Sequence, residues 1–334
     1  MKPRKWLLLC FIPLVYMVLK LLPQVDTYIH SIQWAAAVRH TEEAVQGKPG
    51  GESHGVDQEL MKRIQEGARQ RSEEAKDARI DSVWKAIPAY NGLLVDVEQT
   101  YRVSQGHKEI IWVYEEVEPK VRLEDLGAQP IYRGNPNKPM ASIMINVAWG
   151  DEFLPSILDT LERENVHATF FLDGKWLSKH MDTAKEILAA GHELSNHAYS
   201  HKNMSELSTE EAKQEIVRTE QLLKELGVEN RLFAPPSGDF DAETVRIAKE
   251  LNLYTILWTL DTVDWKKPPA DSIVRKISAG VEPGSLILMH PTESSSRALP
   301  GMIQAIKQKG LIISTVSDLI SPKRPDSVET PFYF

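Results

Sequence analysis

The sequence holds one cysteine, Cys10, in 334 residues. A single thiol excludes an intrachain disulfide framework and a cysteine-based zinc site, so a metal here has to be held by histidines and carboxylates. Cations are also in short supply, with 39 Lys and Arg against 47 Asp and Glu and a net charge of −8. Duplex nucleic acid is gripped through its phosphates by a basic surface, so no nucleic-acid partner is expected. Internal repeats and low-complexity runs are missing as well. Charged residues make up 26% and hydrophobic ones 42%, a globular balance that excludes wholesale disorder, collagen and coiled-coil fibres. The length suggests about two domains.

What is present begins with Lys2-Pro-Arg-Lys5 followed by an apolar run from Trp6 to Leu22, broken by Pro13 and Lys20. A basic segment before a short apolar stretch predicts export. The run is brief for a membrane span, which takes roughly 20 residues, although Lys20 can snorkel and extend it. Residues 1–24 therefore read as a cleaved signal peptide or an uncleaved signal anchor, and the remainder as extracytoplasmic, secreted or membrane-anchored.

Residues 25–79 read as a tether followed by a solvated helix. Gly47, Pro49, Gly50, Gly51, Ser53 and Gly55 make the first part flexible, and 58–79 is rich in charge with sparse apolar positions. Residues 80–137 read as a small α+β unit, with strands at Gly92–Val97 and Ile110–Val117. Arg133-Gly-Asn-Pro-Asn-Lys-Pro139 is turn-rich and reads as a linker. From 138 to 321 short apolar runs (142–147, 168–172, 254–260, 285–289, 311–315) alternate with helical stretches (153–161, 182–190, 208–226, 241–251, 271–279, 299–308). Such alternation implies parallel β/α units, in an open sheet or a barrel, with the site at the C-terminal strand ends. Residues 322–334 form a tail.

Four clusters carry chemistry: His197 with His201, Phe233-Ala-Pro-Pro-Ser-Gly238, Trp258-Thr-Leu-Asp-Thr-Val-Asp-Trp265, and His290 after Leu286-Ile-Leu-Met. Two histidines four apart can face one ion. Each cluster alone also reads as ordinary structure, namely solvated or core histidines, a tight turn, or a strand end. Their joint order, each at the end of a strand, does not.

Taken together with Ala168-Thr-Phe-Phe-Leu-Asp-Gly174 and Gly191-His-Glu, these motifs resemble the polysaccharide deacetylase family with its NodB homology domain. The resemblance covers over half the chain. It implies an α/β fold, an irregular (β/α) barrel preceded by the small α+β unit and the export segment. It also implies metal-dependent hydrolysis of the N-acetyl groups of amino sugars in chitin-like glycan or peptidoglycan, making cell-wall glycan the partner. The longer match, with Asn146-Val-Ala-Trp-Gly150 and the N-terminal unit, resembles a sporulation-associated branch of Bacillus-type bacteria.

In that family an Asp and two His hold zinc or a similar divalent ion, a second Asp acts as base, a His protonates the leaving amine, and an Arg beside twin prolines orients the base. Carried over, His197 and His201 match the metal histidines. His290 matches the acid, with Asp261 or Asp264 as its partner. Pro235, Pro236, Ser237, Gly238 and Trp265 match the substrate wall. The first motif departs: Ala148 stands at the base, Trp149 at the metal carboxylate and Ala234 at the Arg. Asp151 or Glu152 offers a replacement ligand, or else these two acids cap the following helix. Zinc is accordingly expected to bind weakly or not at all. The resemblance thus implies one of two functions. One is an envelope N-deacetylase with an altered metal shell; the other is an inactive relative that binds glycan or a partner.

Overall fold

The computed structural model describes residues 57–325. The expected signal segment, tether start and most of the C-terminal tail lie outside them. By its internal contacts the chain divides after Glu66, inside the helix Gln58–Arg71. The second unit, from Gly67 on, carries the sheets and the site.

Two hairpin-like pairs come first. β1 (Arg79–Asp81) runs antiparallel to β2 (Lys85–Ile87), and β3 (Gly92–Val95) antiparallel to β4 (Tyr114–Val117). The expected strand at 92–97 stops at Val95. Asp96 accepts a hydrogen bond from Gln99 N and caps the helix Val97–Ser104, because a carboxylate that satisfies a free helical N–H starts a helix more readily than it continues a ladder. The second expected strand is likewise short, starting at Tyr114 rather than 110.

The stretch 133–139 is a packed junction, not a loose linker. Asn135 Nδ2 donates to Pro88 O at 2.8 Å, and the fully buried Lys138 donates to the carbonyls of Asp318 and Ser321. Its polar side chains meet carbonyls that would otherwise be buried unpaired. Burial lowers the Lys138 ammonium to about 8.

The main sheet is parallel throughout. Its strand order is β10 (Leu260–Asp261), β11 (Leu286–Met289), β5 (Met140–Val147), β6 (Thr169–Leu172), β7 (Glu193–Asn196), β8 (Leu232–Phe233) and β9 (Tyr254–Thr255). β12 (Ile312–Ser314) pairs with the first residues of β5. All eight residues of β5 are buried, as expected of a strand covered on both faces. One core packs β5, β6 and β11 against the helices Leu154–Arg163, Met181–Ala189, Ala270–Gly280 and Glu293–Gln308. A second, around Met144, Phe171, Leu232, Ile256 and Leu288, fills the inside of the curl. The result is an irregular (β/α) half-barrel. Since the strands are parallel, Ala148, His197, Ala234, Thr262 and His290, each following a strand, share one rim.

Candidate functional site at the strand ends

His290 follows β11 and meets a buried carboxylate. Its Nδ1 lies 2.8 Å from Asp264 Oδ1, and its backbone N donates to Asp264 Oδ2 at 2.6 Å. Asp264 is wholly buried. With Nδ1–H donating to the carboxylate, Nε2 is left for the pocket. Of the two candidate acids, Asp264 is therefore the one in contact with His290. Asp261 turns back on its own chain and accepts from Val263 N at 2.7 Å, an arrangement that fixes Val263 at φ +53°.

His197 follows β7 and is buried, with its Nδ1 2.7 Å from Ala234 O. Burial, reinforced by the neighbouring His201, pushes the imidazole down to about 3. His201 is exposed and meets His197 edge-on, ring centroids 5.2 Å apart. The two are brought together by a turn in which Ala198 and His201 both have positive φ, not by a helix. Asn196 Oδ1 accepts from Ala198 N and holds that turn. The neutral His197, with Nδ1–H donated to a carbonyl, keeps Nε2 as a lone-pair donor.

Trp149 occupies the centre of the rim. Its indole stacks on His290 at 5.9 Å between centroids and 9° between planes, and it stays 46% exposed. Gly150 makes this placement possible. Its φ is +86°, and a Cβ there would fall 2.0 Å from Pro291 O, so only glycine lets the chain pass this close.

Around Trp149 the rim divides into three cavities. One of about 410 Å³ joins Asn146, His201, Ser237, Asp261, Trp265 and His290. A second, about 490 Å³, holds Ala148, Asp151, Asp173, Trp176, His180 and His201. The third, about 1080 Å³, lies beside Glu152, Asp264 and Trp265. Asp151 and Glu152 thus line different cavities. Neither is the N-cap of the next helix, since the residue before Leu154–Arg163 is Phe153, which makes no side-chain cap; both stand instead in the short helical turn Asp151–Phe153 that leads into it. Asp151 instead accepts from Trp176 Nε1 and lies 3.3 Å from His180 Nε2.

The residues do not fit the divalent ion that the resemblance implies. Two imidazoles are available, one buried and one exposed, and the Ala148 and Trp149 side chains carry no oxygen. Asp151 is engaged by Trp176 and His180. Among the described residues no group of three or more His, Cys, Asp or Glu is arranged to hold a metal. A stable zinc site takes at least three protein ligands.

Pro235 and Pro236 are buried behind the rim and lead into a turn where Ser237 has φ +57°. Gly238 lies under Trp258, whose ring a Cβ would meet at 2.5 Å. Trp265 is 54% exposed. Ala234 is wholly buried, its carbonyl committed to His197. Sequence reasoning did not single out Trp176 or His180, and it quoted Asp173 within the Ala168–Gly174 motif without giving it a role. Asp173 caps the helix Gly174–Leu177, and its other carboxylate oxygen is buried without a partner; burial raises this carboxyl above its ordinary value. The Asp-Gly-x-Trp spacing at 173–176 was the available signal.

A polysaccharide deacetylase family model matches residues 133–256. Wild-type BA3943 of Bacillus anthracis, a CE4 family pseudoenzyme, superposes with a TM-score of 0.76 at 42% identity, covering 80% of this chain and 96% of that one. The chain belongs to the polysaccharide deacetylase family, CE4. A BA3943 mutant with restored enzymatic activity superposes on this CE4 chain with a TM-score of 0.75 at 40% identity, over 80% of this chain and 99% of that one. The uncharacterized protein YlxY of Bacillus subtilis is 43% identical over 253 residues, 75% of this chain and 79% of its own length. A peptidoglycan-N-acetylglucosamine deacetylase of Bacillus cereus is 36% identical over 179 residues, covering 52% of this chain and 65% of the relative.

Proposed function

We propose that this CE4 chain is a pseudoenzyme that binds amino-sugar glycan of the cell envelope and does not hydrolyse it. The observation that carries this reading is Trp149 stacked on His290, at the position where the resemblance places a metal carboxylate. An amide is cleaved only after water has been made nucleophilic. The chain keeps the half of the apparatus that serves the leaving amine, His290 on Asp264. It has no side chain at Ala148 able to take a proton from water. Losing a general base typically forfeits a factor of about 10²–10⁴. Similarity to BA3943, a pseudoenzyme of known structure, supports the same reading.

The cavities around Trp149 stay open, which suits retained binding. A cell-wall ligand also agrees with the export pattern of Lys2–Leu22, placing the barrel outside the cytoplasm, secreted or held at the membrane. Co-sedimentation with purified peptidoglycan, with acetate assayed in the same tubes, tests the reading. Binding without acetate release is expected. Acetate release at the rate of an active family member overturns it.

A further inference from the structure

We propose that Trp149 is a gate: in the free chain its indole is closed on His290, and it swings aside to let a ligand run through the rim. Among the described residues Trp149 alone lines all three rim cavities. His201 lines both the cavity of about 490 Å³ and that of about 410 Å³, and Trp265 lines both the latter and the cleft of about 1080 Å³. Neighbouring cavities therefore already share walls, and the indole is the partition between them.

Little holds the indole where it is. The parallel stack on His290 is its ring contact, its Nε1–H donates to no acceptor among the described residues, and 46% of the residue is exposed. Stacked rings are preferred over separated ones by up to about tenfold, a margin that ligand contacts overcome. The open position is also prepared. Ala148 carries only a methyl, and the cavity beside it, bounded by Trp176 and His180, has room for a ring. Gly150 is pinned against Pro291 O at φ +86°, so the motion is a change of side-chain rotamer and not a bend of the backbone. Asp264 holds the His290 ring in both states. The closed state partitions the rim and the open state joins it into one groove. A ligand that needs the groove binds with an apparent affinity reduced by the closed fraction.

NMR of the full chain labelled at histidine Cε1 reads the gate, because a stacked indole shifts the ring protons of His290 upfield. The His290 signal is assigned by its loss in His290→Asn. Warming the ligand-free wild type, below its unfolding transition, should move that signal toward the position it holds in Trp149→Ala. Saturation with an N-acetylglucosamine hexamer, a probe that rests on the glycan-binding reading, should move it away from the stacked position too. The hexamer should bind Trp149→Ala more tightly than the wild type, by up to about tenfold. A His290 signal that stays put on warming, or at hexamer saturation, overturns the gate and makes Trp149 a fixed wall. Weaker hexamer binding by Trp149→Ala overturns it as well. A hexamer that binds neither protein overturns the glycan-binding reading instead, and the warming result alone then decides the gate.

Discussion

Asp264 accepts two hydrogen bonds from one residue, the backbone N and the Nδ1 of His290, at 2.6 and 2.8 Å. It is wholly buried, so the pair ties the loop after β10 to the end of β11. Removing Asp264 leaves a part-buried backbone N–H and ring nitrogen of His290 unsatisfied as well as an emptied buried site, and an unsatisfied buried group typically costs about 1–3 kcal/mol. Asp264→Ala should therefore lower stability by several kcal/mol in denaturant unfolding. Asp261→Asn should cost under about 1 kcal/mol, because an asparagine makes the same turn to Val263 N. Equal losses at the two positions would contradict this assignment of roles.

Gly150 is required by geometry, not by chemistry. Gly150→Ala places a methyl against Pro291 O in a left-handed conformation, a strain of roughly 1–3 kcal/mol before the clash is relieved. A fall in Tm is expected together with a change in tryptophan fluorescence as Trp149 leaves His290. An unchanged Tm would show that Pro291 yields freely.

Three buried bases, His192, His197 and Lys138, contribute to the pH dependence of stability with the same sign. Burial lowers His192 to about 4, with His167 adding to the effect. In the unfolded chain this ring titrates near 6.5, so between about 6.5 and 4 the unfolded state binds more protons. Stability then falls as pH drops through that window. Lys138, lowered to about 8 by burial, has the same sign at higher pH: stability rises from about 8 toward 10.5, where the unfolded amine also loses its proton. Urea midpoints across pH check both. Lys138→Met should flatten the alkaline rise, and His192→Asn should reduce the acid fall while leaving the part that His197 contributes.

Much of the fold is legible in the sequence because the long apolar runs do what period and burial demand. The run at 142–147 is the all-buried β5 and the helical stretch at 208–226 is the helix Thr209–Glu225. The two-residue strands Leu232–Phe233 and Leu260–Asp261 are too short to leave a pattern; tertiary pairing alone makes them strands. The site was legible as residue types and not as contacts. The proximity of His197 and His201 depends on left-handed turns at Ala198 and His201, which no spacing specifies for non-glycine residues. The choice between Asp261 and Asp264 is made by a two-residue turn. Asp151 reads as a helix cap from its place before Phe153–Leu161. A short turn at Asp151–Phe153 instead swings it toward Trp176 and His180, two residues far off in sequence.

The metal follows the same logic. His197 and His201 alone should hold zinc weakly, so His197→Ala should change the metal content of the purified chain little. Stoichiometric zinc that is lost on this substitution would show that a carboxylate such as Asp151 or Glu152 joins them.

The most direct measurement is acetate release from a chitin oligomer, with zinc supplied, by the wild type and by an Ala148→Asp, Trp149→Asp, Ala234→Arg variant whose folding is checked by circular dichroism. That substitution set supplies the base, the metal carboxylate and the orienting cation around the His290–Asp264 pair already in place. The account predicts no release above the enzyme-free blank for the wild type and measurable release for the variant. A wild type that releases acetate robustly, and loses roughly a hundredfold on His290→Ala, would contradict it.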